Sequence, residues 1–219
     1  MSLDGITAPK QQRSRESFAR VKAATLALIQ DPARSDFTLA DVSVAAGVSI
    51  GSIYTRVQGK SDLIRVVQEE EFDRIDVAVR AIGEPAASAD AFADAVTGTV
   101  RALIAHLVEH APVLRAFMRL AAADPAASVR GMASSDLAQA VFTEALRDAG
   151  ARWGVEIAAA DAGWCFDLIF SVVGRHLGFG MAAGGRPRSH SEPAELADRL
   201  STTVLRFLAH GESGSSAPA

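Results

Sequence analysis

The chain has 219 residues, of which 49% are hydrophobic and 22% charged, and its formal net charge is −4. A single cysteine, Cys165, excludes an intramolecular disulfide and fits a reducing cytoplasm. No unbroken apolar run reaches the length of a membrane span, since Asp167 interrupts the best candidate, and no signal peptide is recognised before the first helix. Alanine dominates, and glycine and proline fall in clusters, so an all-α protein is expected.

In chain order, residues 1–12 show no periodicity and are expected to lack regular structure. Arg13 and Arg15 follow, as solubilising charges or as cations placed to reach a DNA phosphate or the minor groove. A helix is predicted from Ser14 to about Gln30, with Phe18, Val21, Thr25, Leu28 and Ile29 on one face. Asp31-Pro32 ends it. Phe37 precedes Thr38 and is placed as a hydrophobic staple, while Thr38 and Asp41 form a capping box. Leu39, Val42 and Ala46 give the next short helix an apolar face, and Gly47 stops it by tolerating a left-handed turn. Val48 is apolar within that turn, and Ser49 caps a second short helix from Ile50 to Arg56.

Two short helices crossing at such a turn form either an ordinary helical hairpin or a helix-turn-helix whose second helix enters a DNA major groove. The outward residues favour the latter. Ser49, Ser52, Tyr54, Thr55 and Arg56 offer hydroxyls and a guanidinium, Ile50 offers a contact for a thymine methyl, and Gly51 permits close approach. Lys60 heads the following helix, where a cation and free N–H groups suit a phosphate. With Arg13 and Thr38, these residues make up the candidate DNA-binding set.

The run TLADVSVAAGVSIGSIYTRVQGKSDLI resembles the DNA-binding motif of the TetR (tetracycline-repressor-like) family of bacterial regulators. The likeness rests on Val42, Ala46, Gly47, Val48, Ser49, Tyr54, Lys60, Asp62 and Leu63. Ser43 stands where that family usually has alanine, and Val57 where phenylalanine is commoner. The resemblance implies a ligand-responsive repressor that binds a palindromic double-stranded DNA operator as a cytoplasmic homodimer. It also implies that the last two helices form a four-helix dimer interface and that the remaining body helices enclose an effector. In such a dimer, two recognition helices lie about 34–36 Å apart, one turn of DNA.

Downstream of Lys60, a long helix is predicted towards Ile82, with Leu63, Ile64, Val67, Phe72, Ile75 and Val79 buried, until Gly83-Glu84-Pro85 breaks it. A helix from about Ala89 to His110 carries Phe92, Val96, Val100, Leu103 and Leu107 at core spacing. Pro112 and Pro125 open the next two, the second ending before Gly150. Helices at 158–181 and 194–209 are the predicted dimer elements, the first too apolar to be left facing water. Gly174 and Gly178 on it are expected to let another helix pack closely. The whole divides into a DNA-binding domain at 1–66 and an effector-binding and dimerisation domain at 67–219. Charge supports the division: residues 1–66 carry nine Lys/Arg against six Asp/Glu, and residues 67–219 carry thirteen against twenty.

The body shows no catalytic constellation, so no enzyme activity, cofactor or metal is expected. His106 and His110 fit the H-x-x-E-H pattern of certain zinc peptidases but lack an evident third ligand. Cys165 has no basic sequence neighbour and reads as an inert thiol. Phe92, Phe117, Met118, Phe142 and Trp164 exceed what a dimer seam would take up and suggest a small apolar effector, with His106, Asp167 and Arg175 as candidates to orient it. Alternatives are a constitutive DNA-binding protein with no effector switch, its aromatic residues simply filling the core, and a zinc enzyme built on His106 and His110.

Overall fold

A computed structural model describes residues 10–34, 36–122, 125–179 and 192–210. Ten α-helices and no strand occur among them: α1 Lys10–Gln30, α2 Leu39–Ala46, α3 Ile50–Tyr54, α4 Lys60–Val79, α5 Glu84–Ser88, α6 Phe92–Glu109, α7 Ala111–Ala121, α8 Pro125–Trp153, α9 Ala159–Leu177 and α10 Pro193–His210. Internal contacts divide the chain into two units, the first ending at Glu71 and the second beginning at Phe72, within α4.

In the first unit α1 packs on α2 and α2 on α3. Val21, Leu28 and Ile29 of α1 are buried, as are Leu39, Val42 and Ala46 of α2, Ile53 of α3 and Leu63 and Val67 of α4. The i, i+3, i+4 spacing places these side chains on single faces, and each large one contributes about 1.5–3 kcal/mol on leaving water. Thr25 is also buried, its hydroxyl donating to the Val21 carbonyl at 2.8 Å, so it packs as a helical residue with no unsatisfied proton.

The second unit has a continuous core. Val96, Val100 and Leu103 of α6, Phe142 and Leu146 of α8, Ile169 and Val173 of α9, and Val204 and Leu208 of α10 belong to one buried cluster. Arg130 of α8 donates to Asp73 at 3.0 Å and Asp76 at 2.8 Å, and Ser134 also donates to Asp76. These bonds fix the last two turns of α4 to α8.

The helix boundaries differ from the sequence-based ones for identifiable reasons. Helix α1 begins at Lys10, so Arg13 lies inside a helix and not on a loose arm. Helix α3 is five residues long and ends at Tyr54, leaving Arg56 in the following turn. Gly83-Glu84-Pro85 does not simply break the chain: Pro85 occupies the first turn of α5, where its missing N–H costs nothing. Helix α8 runs through Gly150 to Trp153. Gly150 is there for closeness, since a Cβ would lie 2.4 Å from the Val155 carbonyl oxygen, whereas Gly154, at φ 73°, adopts the left-handed conformation. Gly174 and Gly178 do not seat a second helix. Gly178 caps α9 at φ 77°, and Phe179 folds back to place its ring 3.1 Å from where a Gly174 Cβ would stand. The segment at 180–181, predicted to extend this helix, lies outside the described residues.

Two predictions follow from this packing. A Cβ on Gly98 would stand 2.6 Å from Pro85 Cβ, on a ring that cannot swing away. Gly98→Ala is therefore expected to lower stability by about 1–3 kcal/mol in urea denaturation, despite alanine's better helix propensity. His106 is buried, and burial together with the neighbouring His110 lowers its pKa from 6.5 to about 4, against opposing pulls from Glu109 and Asp76. The unfolded chain thus binds a proton that the folded chain refuses between those values. Its contribution to stability is complete above pH 6.5 and declines as the pH falls towards 4. His106→Leu should flatten that acid limb of a stability–pH curve; an unchanged slope would contradict the burial argument.

Candidate nucleic-acid interface

The junction between α2 and α3 is built by backbone geometry. Gly47 sits at φ 61°, ψ 39°, and its N–H donates to the Val44 carbonyl at 3.3 Å while the Val48 N–H reaches the Ser43 carbonyl at 3.1 Å. This pair of bonds closes the helix end in a Schellman motif. Ser43 adds a bond that alanine cannot make, its hydroxyl donating to the Val48 carbonyl at 2.6 Å. Arg20 of α1 donates to the Ala46 carbonyl at 3.3 Å, satisfying another terminal acceptor of α2. Val57, where phenylalanine is commoner in the resembling family, is 3% exposed and still supplies the apolar contact.

Thr38 caps α2 completely. Its Oγ1 accepts from the Asp41 N–H at 3.2 Å, and its N–H and hydroxyl both donate to Asp41 Oδ2 at 2.7 Å. Those bonds hold the Asp41 carboxyl below its ordinary pKa. Thr38 is exposed, but its donors are engaged by the cap, which makes it a structural residue ahead of a DNA contact.

Helix α3 presents an open surface. Ile50 is 42% exposed and Tyr54 56%, and neither ring nor branch is covered by the protein's own packing. Gly51 is exposed, has no left-handed φ, and an added Cβ would meet nothing within 4 Å. The fold itself therefore does not require glycine there. Ser49 caps α3 by accepting from the Ser52 N–H at 3.3 Å, and the two hydroxyls share a bond of 2.8 Å. The Thr55 hydroxyl donates to the Ser52 carbonyl at 2.8 Å. Thr55 consequently presents oxygen lone pairs outward, with its proton already engaged.

The cations are placed differently from one another. Lys60 opens α4 with its ammonium 4.2 Å from the Phe37 ring centroid, a contact that orients the side chain and retains its charge. Phe37 is thereby both staple and platform. Arg56 donates to Ser14 of α1 and lies 5.2 Å over the Phe18 ring, so it joins α3's end to α1 instead of projecting from the recognition face. Arg13 is exposed. Sequence reasoning did not single out Ser14, which has no motif to mark it, nor Val44, whose side chain is 85% exposed on α2.

The candidate effector residues do not share one environment. Phe142 is fully buried beside Phe166, and Phe117 is 2% exposed beside Phe72. Phe92 is half-buried against Trp153, and Met118 is half-buried on α7. Trp164 is 48% exposed and packs on Phe207 of α10 at 4.6 Å, so it faces outward and not into the body. Asp167 and Arg175 are likewise exposed, which removes them from an interior orienting role; His106 alone of the three is buried. The His106 and His110 rings meet edge to face at 4.7 Å, but Glu109 is exposed and, among the described residues, no three His, Cys, Asp or Glu side chains converge as metal ligands. Cys165 is fully buried, its thiol pushed up to about 12 by burial and by the Asp161 charge, which disfavours the reactive thiolate. Among the described residues, no helix is long and apolar enough to cross a membrane.

No family model matches the sequence, and no curated protein sequence matches it. Solved structures do. A protein from Mesorhizobium loti assigned to the TetR family of transcriptional regulators superposes with a TM-score of 0.70 at 17% identity, covering 90% of this chain and 97% of its own. A Rhodococcus protein assigned to the same family gives 0.61 at 19% identity over 89% and 99% of the two chains. A Streptomyces coelicolor protein assigned as a transcriptional regulator gives 0.59 at 16% over 88% and 98%. The chain has the all-α fold of solved TetR-family regulators along nearly its whole length.

Proposed function

We propose that this chain is a DNA-binding transcription regulator that reads a near-palindromic operator as a homodimer. The observation that carries the reading is the surface of α3. A capped and rigidly anchored helix displays Ile50, Gly51 and Tyr54 with no internal use for any of them. Such a surface matches the donor, acceptor and methyl pattern of a major groove, and the fold is one found in solved transcription regulators. Tyr54 and Lys60 hold phosphates, while Ile50 and Ser52 approach base edges. Thr38 supports them through the cap.

Dimerisation is supported by the outer faces of α9 and α10. Trp164 and Phe207 form an exposed aromatic pair, and Val172 is 36% exposed on the same helix as Trp164. An apolar surface of this kind is suited to a second copy of the chain.

Ligand response has a competing version. Phe117 and Phe142 fill the core and Trp164 faces out, which favours a constitutive DNA-binding protein over one whose five aromatic and sulfur-bearing residues line an effector cavity. An apolar effector would have to be accommodated beside these side chains. Thermal shift against apolar and polyanionic compounds, followed by operator release, separates the two versions.

The DNA reading is tested by Gly51→Ala. Alanine should leave the fold intact or stabilise it by up to about 1 kcal/mol, because the position is open and helical. Affinity for a duplex from the chain's own upstream region should nevertheless fall, measured by fluorescence anisotropy at fixed salt. Tyr54→Ala and Lys60→Ala should weaken binding to all sequences alike. Equal affinity of wild type and Gly51→Ala would argue that α3 does not enter a groove. For assembly, Val172→Asp places a charge in the proposed seam and should yield monomers or aggregates. A wild-type chain that sediments as a monomer at micromolar concentration would remove the dimer from the reading.

A further inference from the structure

We propose that Arg13, Arg15 and Arg56 form, around Ser14, a receptor for one phosphate-type oxyanion. Two depressions meet at this point in the first unit. One, of about 230 Å³, is lined by Arg13, Ser17, Ser52 and Arg56 among others; the second, of about 460 Å³, is lined by Gln11, Ser14, Arg15 and Arg56. Arg56 and Ser14 border both, and no carboxylate lines either.

The placement of Arg56 is built in. Its guanidinium donates to Ser14 Oγ and rests 5.2 Å over the Phe18 ring, which leaves most of its N–H fork unengaged and fixes its plane. Because α1 is helical from Lys10, Arg13 and Arg15 project from its first two turns at defined positions. Among the described residues none of the three guanidiniums forms an ion pair. Three like charges held near one another without a counter-ion repel, and that arrangement favours an anion between them. The hydroxyls refine the chemistry. Ser17 donates its proton to the Arg13 carbonyl at 2.7 Å and Thr55 to the Ser52 carbonyl at 2.8 Å, whereas Ser14 accepts from Arg56 and keeps its own proton. The ligand therefore meets planar guanidinium forks and one hydroxyl donor, the donor set that suits a tetrahedral phosphate with several oxygens.

The oxyanion has two possible sources, a DNA backbone phosphodiester or a free phosphate group; only the first rests on the DNA-binding reading above. The test uses the full chain and two probes, inorganic phosphate and a duplex from the upstream region. NMR of the arginine side-chain Nε–H signals should show saturable shifts at Arg13 and Arg56 with phosphate but not with chloride at equal ionic strength. With duplex, Arg13→Gln combined with Arg15→Gln should weaken binding at least tenfold on every sequence. The slope of log affinity against log salt should flatten by roughly one for each phosphate contact removed. Arg56→Lys, which keeps the charge but loses the fork, should weaken both probes. Because Arg56 also ties α1 to the end of α3, the exposed pair Arg13 and Arg15 serves as the variant least able to disturb folding, checked by melting temperature.

Loss of duplex affinity without a free-phosphate shift assigns the site to the DNA backbone. A phosphate-specific shift in a chain that binds no duplex assigns it to a free phosphate-bearing ligand and removes the DNA reading instead. Duplex binding with unchanged affinity and salt slope in the arginine variants, together with no phosphate-specific shift, overturns the proposal and leaves the DNA reading intact.

Discussion

The recognition surface depends on one backbone constraint, the left-handed residue at Gly47. At φ 61° any side chain would strain the turn, and without the turn α2 and α3 could not cross with Val42 and Ile53 both fully buried. The two Schellman bonds and the Ser43 hydroxyl close the same turn from three directions. This explains why serine replaces alanine at that position without harm. It is similar in size, and its proton finds the Val48 carbonyl where an unpartnered hydroxyl would be costly.

Once the turn is set, the hydroxyl-rich face of α3 separates into engaged and free groups. Ser49, Thr55 and Thr38 hold the helix ends, whereas Ile50, Gly51 and Tyr54 do nothing for the fold. Surface groups that cap helices contribute to stability by satisfying N–H donors, so their presence on an exposed face is not in itself a sign of a partner. An exposed isoleucine and tyrosine beside an unneeded glycine are harder to account for by folding alone. The same distinction moves Arg56 from the recognition face to the junction with α1, because Ser14 and Phe18 capture its guanidinium.

In the second unit, closeness of approach governs the helix packing. Gly98 admits Pro85, and Gly150 admits the Val155 carbonyl. Alanine-rich contacts continue this pattern in the small cluster of Ala86, Ala95, Ala145 and Ala149. Close-packed interiors of this kind leave large aromatic side chains either fully enclosed, as Phe142 is, or displaced to the surface, as Trp164 is. The buried histidine is held neutral by the same low-dielectric surroundings.

By itself the sequence determined the all-α class, the α2–turn–α3 unit with its caps, and the apolar faces of most helices. Those features are local: Thr38 and Asp41 are three residues apart, Gly47 acts through its own φ, and helical periodicity places Val96, Val100 and Leu103 together without help from elsewhere. What only the tertiary structure decided involves partners distant in sequence. Nothing near Arg56 announces that Ser14, 42 residues earlier, will bind it. Nothing near Gly150 or Gly174 distinguishes a helix stop from a site of close approach, because that depends on where Val155 and Phe179 return. Trp164 and Phe142 are equally apolar in sequence, and their opposite exposures follow from which helix faces meet. Local chemistry fixes the conformation of a segment, but the outward or inward fate of a side chain is set by what packs against that segment.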